Sequence, residues 1–276
     1  MSVVTVQVGQ CGNQLGESLF SKLDAFVPRS SRGERAGAVS EASRSCFFRS
    51  DEDQEGVHVA RAIAVDTEPK VIDHVVMRSQ AVGGVGRPRV DRQGWRYDAS
   101  TQVCCGGDGG AANNWAYGYH GYGPSSREAT LEAVRREAER CDHLAGFTVV
   151  HSVAGGTGSG LGSYITEALR DDFPSAFLFN AAVFPHASGE VILQNYNTIF
   201  TLSCLARESD GVLVADNDSA TRVCQRLLRL QRPSLPDLNA VIAGGLAAAL
   251  CPSVPVAAAA AAAAGGGVGA RGGRTP

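Results

Sequence analysis

The segment Ala154-Gly155-Gly156-Thr157-Gly158-Ser159-Gly160 constrains this chain more than any other. It joins the apolar, β-branched run Phe147 to Val153 to the amphipathic stretch Leu161 to Leu169, so it reads as a glycine loop between a buried strand and a helix. Four glycines within six positions let a backbone approach a phosphate closely. Main-chain amides, the hydroxyls of Thr157 and Ser159, and the dipole of a helix start then supply a polyanion cradle. It is not a loop of the G-x-x-x-x-G-K-[ST] type, because Lys22 and Lys70 are the only lysines and neither follows a glycine-rich stretch. Nor is it a dinucleotide fingerprint, since Leu161 stands where glycine or alanine belongs. A phosphate held here is held mainly by backbone.

The same unit recurs along the chain. Ser2 to Val8 predicts a buried strand, followed by a glycine-flanked turn and a helix from Asn13 to Phe26 marked by Leu15, Leu19, Phe20 and Leu23. Arg61 to Val65 predicts a strand leading into the acidic loop Asp66-Thr67-Glu68-Pro69, then a short helix through Val71 and Ile72. Ser125-x-x-Glu128 reads as a capping box opening a helix with Leu131, Val134, Ala138 and Cys141 on one face. Ala176 to Phe184 and Val212 to Ala215 predict further strands, and Val191 to Ala206, Ser219 to Leu230 and Asp237 to Leu250 further helices. Trp115 and Tyr117 read as buried packing, and Arg222, Arg226, Arg229 and Arg232 as a solvated helix face. The alternation predicts an α/β fold: a doubly wound, mostly parallel sheet with helices on both faces and its ligand in the loops after the strands.

Composition removes several function classes. With 44% hydrophobic and 19% charged residues among 276, wholesale disorder is excluded. A net charge of −3 lacks the dense positive footprint of a nucleic-acid binder, so no nucleic-acid partner is expected. The apolar run Val254 to Ala264 is roughly half the ~20 residues that span a bilayer, and the opening lacks the zones of a targeting peptide, so no membrane partner is expected either. Eight cysteines, none spaced C-x-x-C, read as reduced thiols in the cytoplasm. The vicinal Cys104-Cys105 lacks the second pair or nearby histidine of a metal site. Residues 28–56 read as a mobile surface insertion, and the alanine- and glycine-rich 252–276 as a disordered tail.

Five motifs then occur in register: GQCGNQ (9–14), VDTEPKVI (65–72), NNWAYGY (113–119), GGTGSG (155–160) and QNYN (194–197). Together they resemble the tubulin family in sequence and order, and the opening Met1 to Gln7 with GEVILQNYN (189–197) is similar to its delta branch. The resemblance covers residues 1 to about 251 and implies a GTP-binding domain, shared with bacterial cell-division GTPases, with GTP or GDP and Mg2+ as ligands. It implies that Gln10 and Cys11 touch the nucleotide at the first loop, that Asp66 and Glu68 lie near magnesium, and that Asn113 contacts the terminal phosphate. Ala112 stands there in place of the family's glycine. It further implies that Ser152, Ala154, Gly155, Gly156, Thr157, Gly158, Ser159 and Gly160 hold the diphosphate, Glu190 the ribose, and Asn217 and Asn239 the edge of guanine. Leu235 replaces the aromatic that stacks on the base, which implies weaker affinity.

The resemblance also implies other tubulins and centriolar proteins as partners. The locations it implies are the cytoplasm and cytoskeleton, centrosomes, centrioles, basal bodies and cilia, and also the nucleus. In the family, GTP is cleaved when the next subunit presents an acidic residue from beyond the nucleotide domain. The alanine and glycine tail stands where that region would begin, so a truncated form that cradles GTP without completing a neighbour's site is expected. Two readings from other classes are a nicotinamide oxidoreductase, opposed by the missing fingerprint, and an interaction module that no longer binds nucleotide.

Overall fold

The computed structural model describes residues 1–26, 44–51, 57–81, 94–106, 109–189 and 192–251. The tail at 252–276 and most of 28–56 lie outside the described residues.

β1 (Ser2–Val8) is buried on both faces, as a central strand of a parallel sheet must be. It pairs with β4 (Ala62–Asp66) on one side and β7 (Leu144–Ser152) on the other. With β6 (Gln102–Cys104), β8 (Phe177–Phe184) and β9 (Gly211–Asp216) these form a six-stranded sheet of order β6-β4-β1-β7-β8-β9, every pairing parallel. The order reverses between β1 and β7, which is the switch point where doubly wound sheets open a ligand crevice.

Helices cover both faces. On one, α1 (Gly9–Phe26), α6 (Asn217–Arg226) and α7 (Leu235–Leu250) bury Leu15, Leu19, Cys224, Leu238 and Leu246 together. On the other, α3 (Gly123–Glu139) and α4 (Gly162–Asp172) set Leu131, Val134, Ile165 and Leu169 against Val4, Val6 and Val149. α2 (Pro69–Ala81) follows β4, and α5 (Gln194–Glu208) lies between β8 and β9. Among the described residues no helix is long and apolar enough to cross a membrane.

Helix α1 starts at Gly9, four residues earlier than its apolar spacing indicates, so Gln10 and Cys11 sit in its first turn and not in a preceding loop. Gly12 and Gly16, inside the helix, each cost roughly 1 kcal/mol of helix propensity. Burial of Leu15, Leu19, Phe20 and Leu23, at about 1.5–3 kcal/mol each, outweighs that cost. The glycines are steric necessities: a Cβ on Gly12 would run into the Val150 carbonyl, and one on Gly16 into the Gln7 side chain.

Several expectations need correction. Ser125 caps nothing: a π-helical turn, Tyr117–Tyr122, already feeds α3, and the Ser125 hydroxyl donates to the Tyr122 carbonyl at 3.0 Å. Tyr117 is half-exposed and does not pack inside. α6 ends at Arg226, and Arg229 takes a positive φ of 59°, so Arg229 and Arg232 belong to no helix face. Residues 44–51 are no surface excursion, because Phe47 and Phe48 are buried. There β2 (Phe48–Ser50) joins β3 (His58–Ala60) and β5 (Trp95–Arg96) in a second, three-stranded sheet that sequence patterning did not foreshadow. It is held by edge-to-face aromatic pairs, Phe20 on Phe48 at 5.4 Å and Trp95 on Tyr97 at 5.1 Å. The fully buried Glu137 ties it to α3 by accepting from Arg61 at 3.2 Å and Arg49 at 3.4 Å.

Candidate functional site

Five of the six strands of the main sheet lead, at their carboxyl edge, to residues that the sequence motifs single out. Gln10 and Cys11 follow β1, Asp66 and Glu68 follow or close β4, and Asn113 lies in the connection after β6. Ser152 closes β7 ahead of the glycine loop, and Asn217 follows β9. Asn239 comes from α7, which packs on α1. Glu190, in the connection after β8, lies outside the described residues.

These ends enclose a cleft of about 510 Å³, within the range of small-molecule sites. Gln10, Cys11, Asp66, Glu68, Asn113 and Ser152 line it together with Gly155, Gly156, Thr157 and Gly158. A smaller cavity of about 190 Å³ is lined by Asn217, Leu235 and Asn239. Gln10, Cys11 and Ser152 line both, so the two cavities adjoin.

The larger cavity is built for anions by its backbone. The glycine loop passes through a π-helical turn, Thr157–Leu161, directly into α4, and Gly9 turns with φ 76° directly into α1. Two helix N-termini therefore converge on it, each worth about 0.3–2 kcal/mol toward a negative group. Gly156 must lack a side chain, because a Cβ there would sit 2.5 Å from the Ala111 carbonyl and 2.8 Å from the Asn114 amide. Among the described lining residues there is no lysine or arginine.

The acidic side is equally ordered. Asp66 Oδ1 accepts from the amides of Thr67 at 2.7 Å and Glu68 at 3.2 Å, and Oδ2 faces Asn13 Nδ2 at 3.4 Å. Burial nevertheless outweighs these bonds and raises its carboxyl to about 6. A buried carboxylate pushed that far is one that a cation would relieve. Among the described residues no group of three or more His, Cys, Asp or Glu could hold a metal unaided. Two carboxylates beside an anion cradle do suit Mg2+, which takes one or two protein carboxylates and completes its shell with phosphate and water.

Not every expected residue faces the hollow. Ser159 is fully buried and its hydroxyl donates back to the Gly155 carbonyl, so that hydroxyl is not free for a ligand. The Gly160 amide is used within the turn, donating to Gly156 at 2.8 Å. Ala154 is buried, and its carbonyl accepts from Asn197. These three shape the loop from behind. Burial pushes the Cys11 thiol up to about 12, so it is an inert wall. Conversely, two residues that no motif role marks take part: Asn13 steadies Asp66, and the Thr67 hydroxyl meets that of Thr157. Neither carries a spacing signal.

Such a site, at the switch point of a parallel sheet, is the plan of a phosphate-binding α/β domain. The chain belongs to the tubulin family: residues 2–225 match the Tubulin/FtsZ family, GTPase domain. It is 40% identical over 258 residues to the tubulin delta chain of Canis lupus familiaris, covering 93% of this chain and 54% of that one. Against the tubulin delta chain of Mus musculus the identity is 41% over 256 residues, covering 92% and 53%. Against the tubulin beta-8 chain of Oryza sativa subsp. japonica it is 32% over 250 residues, covering 90% and 53%. The chain spans about half the length of the curated relatives it matches.

Proposed function

We propose that the hollow binds GTP or GDP with Mg2+, and that the chain acts as a delta-tubulin-like cytoskeletal protein. One observation carries the binding reading: the glycine-lined cleft and the smaller cavity with two asparagines adjoin, with Gln10, Cys11 and Ser152 lining both. Guanine fits the smaller cavity, where the amides of Asn217 and Asn239 offer the donor and acceptor that its edge requires. The phosphates then run past Ser152 over Gly155 to Gly158 and end between Asp66, Glu68 and Asn113. Mg2+, when bound beside Asp66 and Glu68, supplies the positive charge that this lysine-free cleft does not.

Calorimetric titration of the purified chain with GTP, GDP and ATP, with and without magnesium, tests the reading. Guanine nucleotides are expected to bind at least tenfold more tightly than ATP, and magnesium to strengthen GTP more than GDP. No binding at millimolar GTP would sink it and leave the interaction module. Similarity to tubulin delta chains supports other tubulins and centriolar proteins as partners, and the cytoplasm, centrosome, centriole, basal body and cilium as locations. Imaging of the tagged chain against a centriole marker tests that part, and diffuse signal alone would refute it.

A further inference from the structure

Asn197 is almost fully buried in α5 and is not among the residues that line the cleft, yet it binds both loops that form the cleft's outer wall. Its Nδ2 donates to the Asn113 carbonyl at 2.8 Å and to the Ala154 carbonyl at 2.7 Å. Its Oδ1 accepts from the Trp115 amide at 3.0 Å. One amide thus joins the loop after β6 to the start of the glycine loop.

The loop it holds is strained. Ala112 and Asn113 take φ values of 49° and 52°, a region that asparagine tolerates but that is costly for alanine unless the surroundings enforce it. Asn197 grips the carbonyl of Asn113 itself and the amide of Trp115, on either side of Asn114. This left-handed pair holds the Asn113 side chain over the glycine loop, where its Oδ1 lies 3.8 Å from the position a Cβ would take on Gly155. Asn113 lines only the larger cavity, and Asn217 and Asn239 only the smaller one, so with guanine at the asparagines the outermost phosphate lies on the Asn113 side.

We infer that Asn197 is a positioning residue for the third phosphate: by fixing Asn113 against the glycine loop it makes the site distinguish GTP from GDP. The inference rests on the nucleotide-binding reading above. It assigns discrimination to a side chain that never touches the ligand.

The test compares GTP and GDP affinities of the full chain with those of Asn197→Asp and Asn197→Ala, with folding checked by circular dichroism. Asn197→Asp keeps the acceptor for Trp115 but turns a second oxygen toward two carbonyls. Both variants are expected to weaken GTP binding tenfold or more and GDP binding less than threefold. Adding Ala112→Gly to Asn197→Ala relieves the backbone strain and is expected to recover part of the GTP affinity. Equal weakening of both nucleotides, or no change, would overturn the inference while leaving nucleotide binding intact. A native chain that binds neither nucleotide would overturn both. Should the variants not fold, amide hydrogen exchange on the native chain decides: residues 111–115 should gain at least tenfold more protection with GTP than with GDP, and equal protection refutes the inference.

Discussion

Thr67, in the acidic loop after β4, and Thr157, in the glycine loop after β7, meet hydroxyl to hydroxyl at 2.8 Å. Their strands lie on either side of β1, so this bond bridges the carboxyl end of the central strand and links the carboxylate side of the cleft to its cradle. Valine at either position keeps the shape and removes the bond. Each substitution should weaken GTP binding about three- to tenfold, near the ~1 kcal/mol of one hydrogen bond. The double variant should lose little more than either single one, because the pair acts as a unit. A calorimetric double-mutant cycle giving additive losses would contradict this.

Asp66 sets a pH dependence. Its carboxyl, raised from 3.8 to about 6 chiefly by burial, binds a proton more tightly in the folded chain than in the unfolded one. Stability of the ligand-free chain should therefore fall as pH rises from about 3.8 to about 6, by on the order of 3 kcal/mol in all. Asp66→Asn should flatten that part of the profile and raise the melting temperature at pH 7. Magnesium requires the carboxylate, so its apparent affinity should drop below about pH 6 in the native chain and be weak at every pH in the variant. Thermal melts across pH, with and without magnesium and nucleotide, measure both effects.

Leu235 is 59% exposed at the rim of the smaller cavity, one helical turn before Asn239. A flat ring there would cover a purine face that leucine covers poorly. Leu235→Tyr should tighten guanine nucleotides about three- to tenfold, in keeping with the ~0.5–1.5 kcal/mol of an aromatic pair. Affinities left unchanged by the substitution would place the base elsewhere.

Glu137 is fully buried among Arg49, Arg61 and Arg140, at 3.4, 3.2 and 3.5 Å. Asp98 still pairs with Arg49 and Arg140, but Glu137→Gln takes from the buried Arg61 the carboxylate it pairs with, so it should cost about 3–5 kcal/mol of folding stability. This network is remote from the cleft, and nucleotide affinity of the folded fraction should stay within twofold. Urea titration and calorimetry separate the two quantities.

The parallel sheet and its strand-end site were legible, β6 apart, because each longer strand is a mostly apolar or β-branched stretch of five or more residues. Val4, Val6 and Val8 announce β1, and the four glycines after Ser152 announce the cradle. The second sheet was not legible: β2, β3 and β5 are two or three residues each, too short for any period to register, and only tertiary packing of Phe48 and Trp95 makes them strands. Ser159 misled because a serine in a glycine loop looks the same from sequence whether its hydroxyl faces a ligand or turns back on Gly155. Asn113 was visible by its motif, whereas the φ of 52° that aims it was not.

The cradle between Ser152 and α4 has one consequence for how this gene can vary. Its working groups are mainly peptide nitrogens, which every amino acid except proline brings, so apart from the Thr157 hydroxyl little that matters there is lost with a side chain. What harms it is bulk: even one methyl on Gly156 would collide with Ala111. Disabling variants in this stretch should therefore be ones that gain atoms.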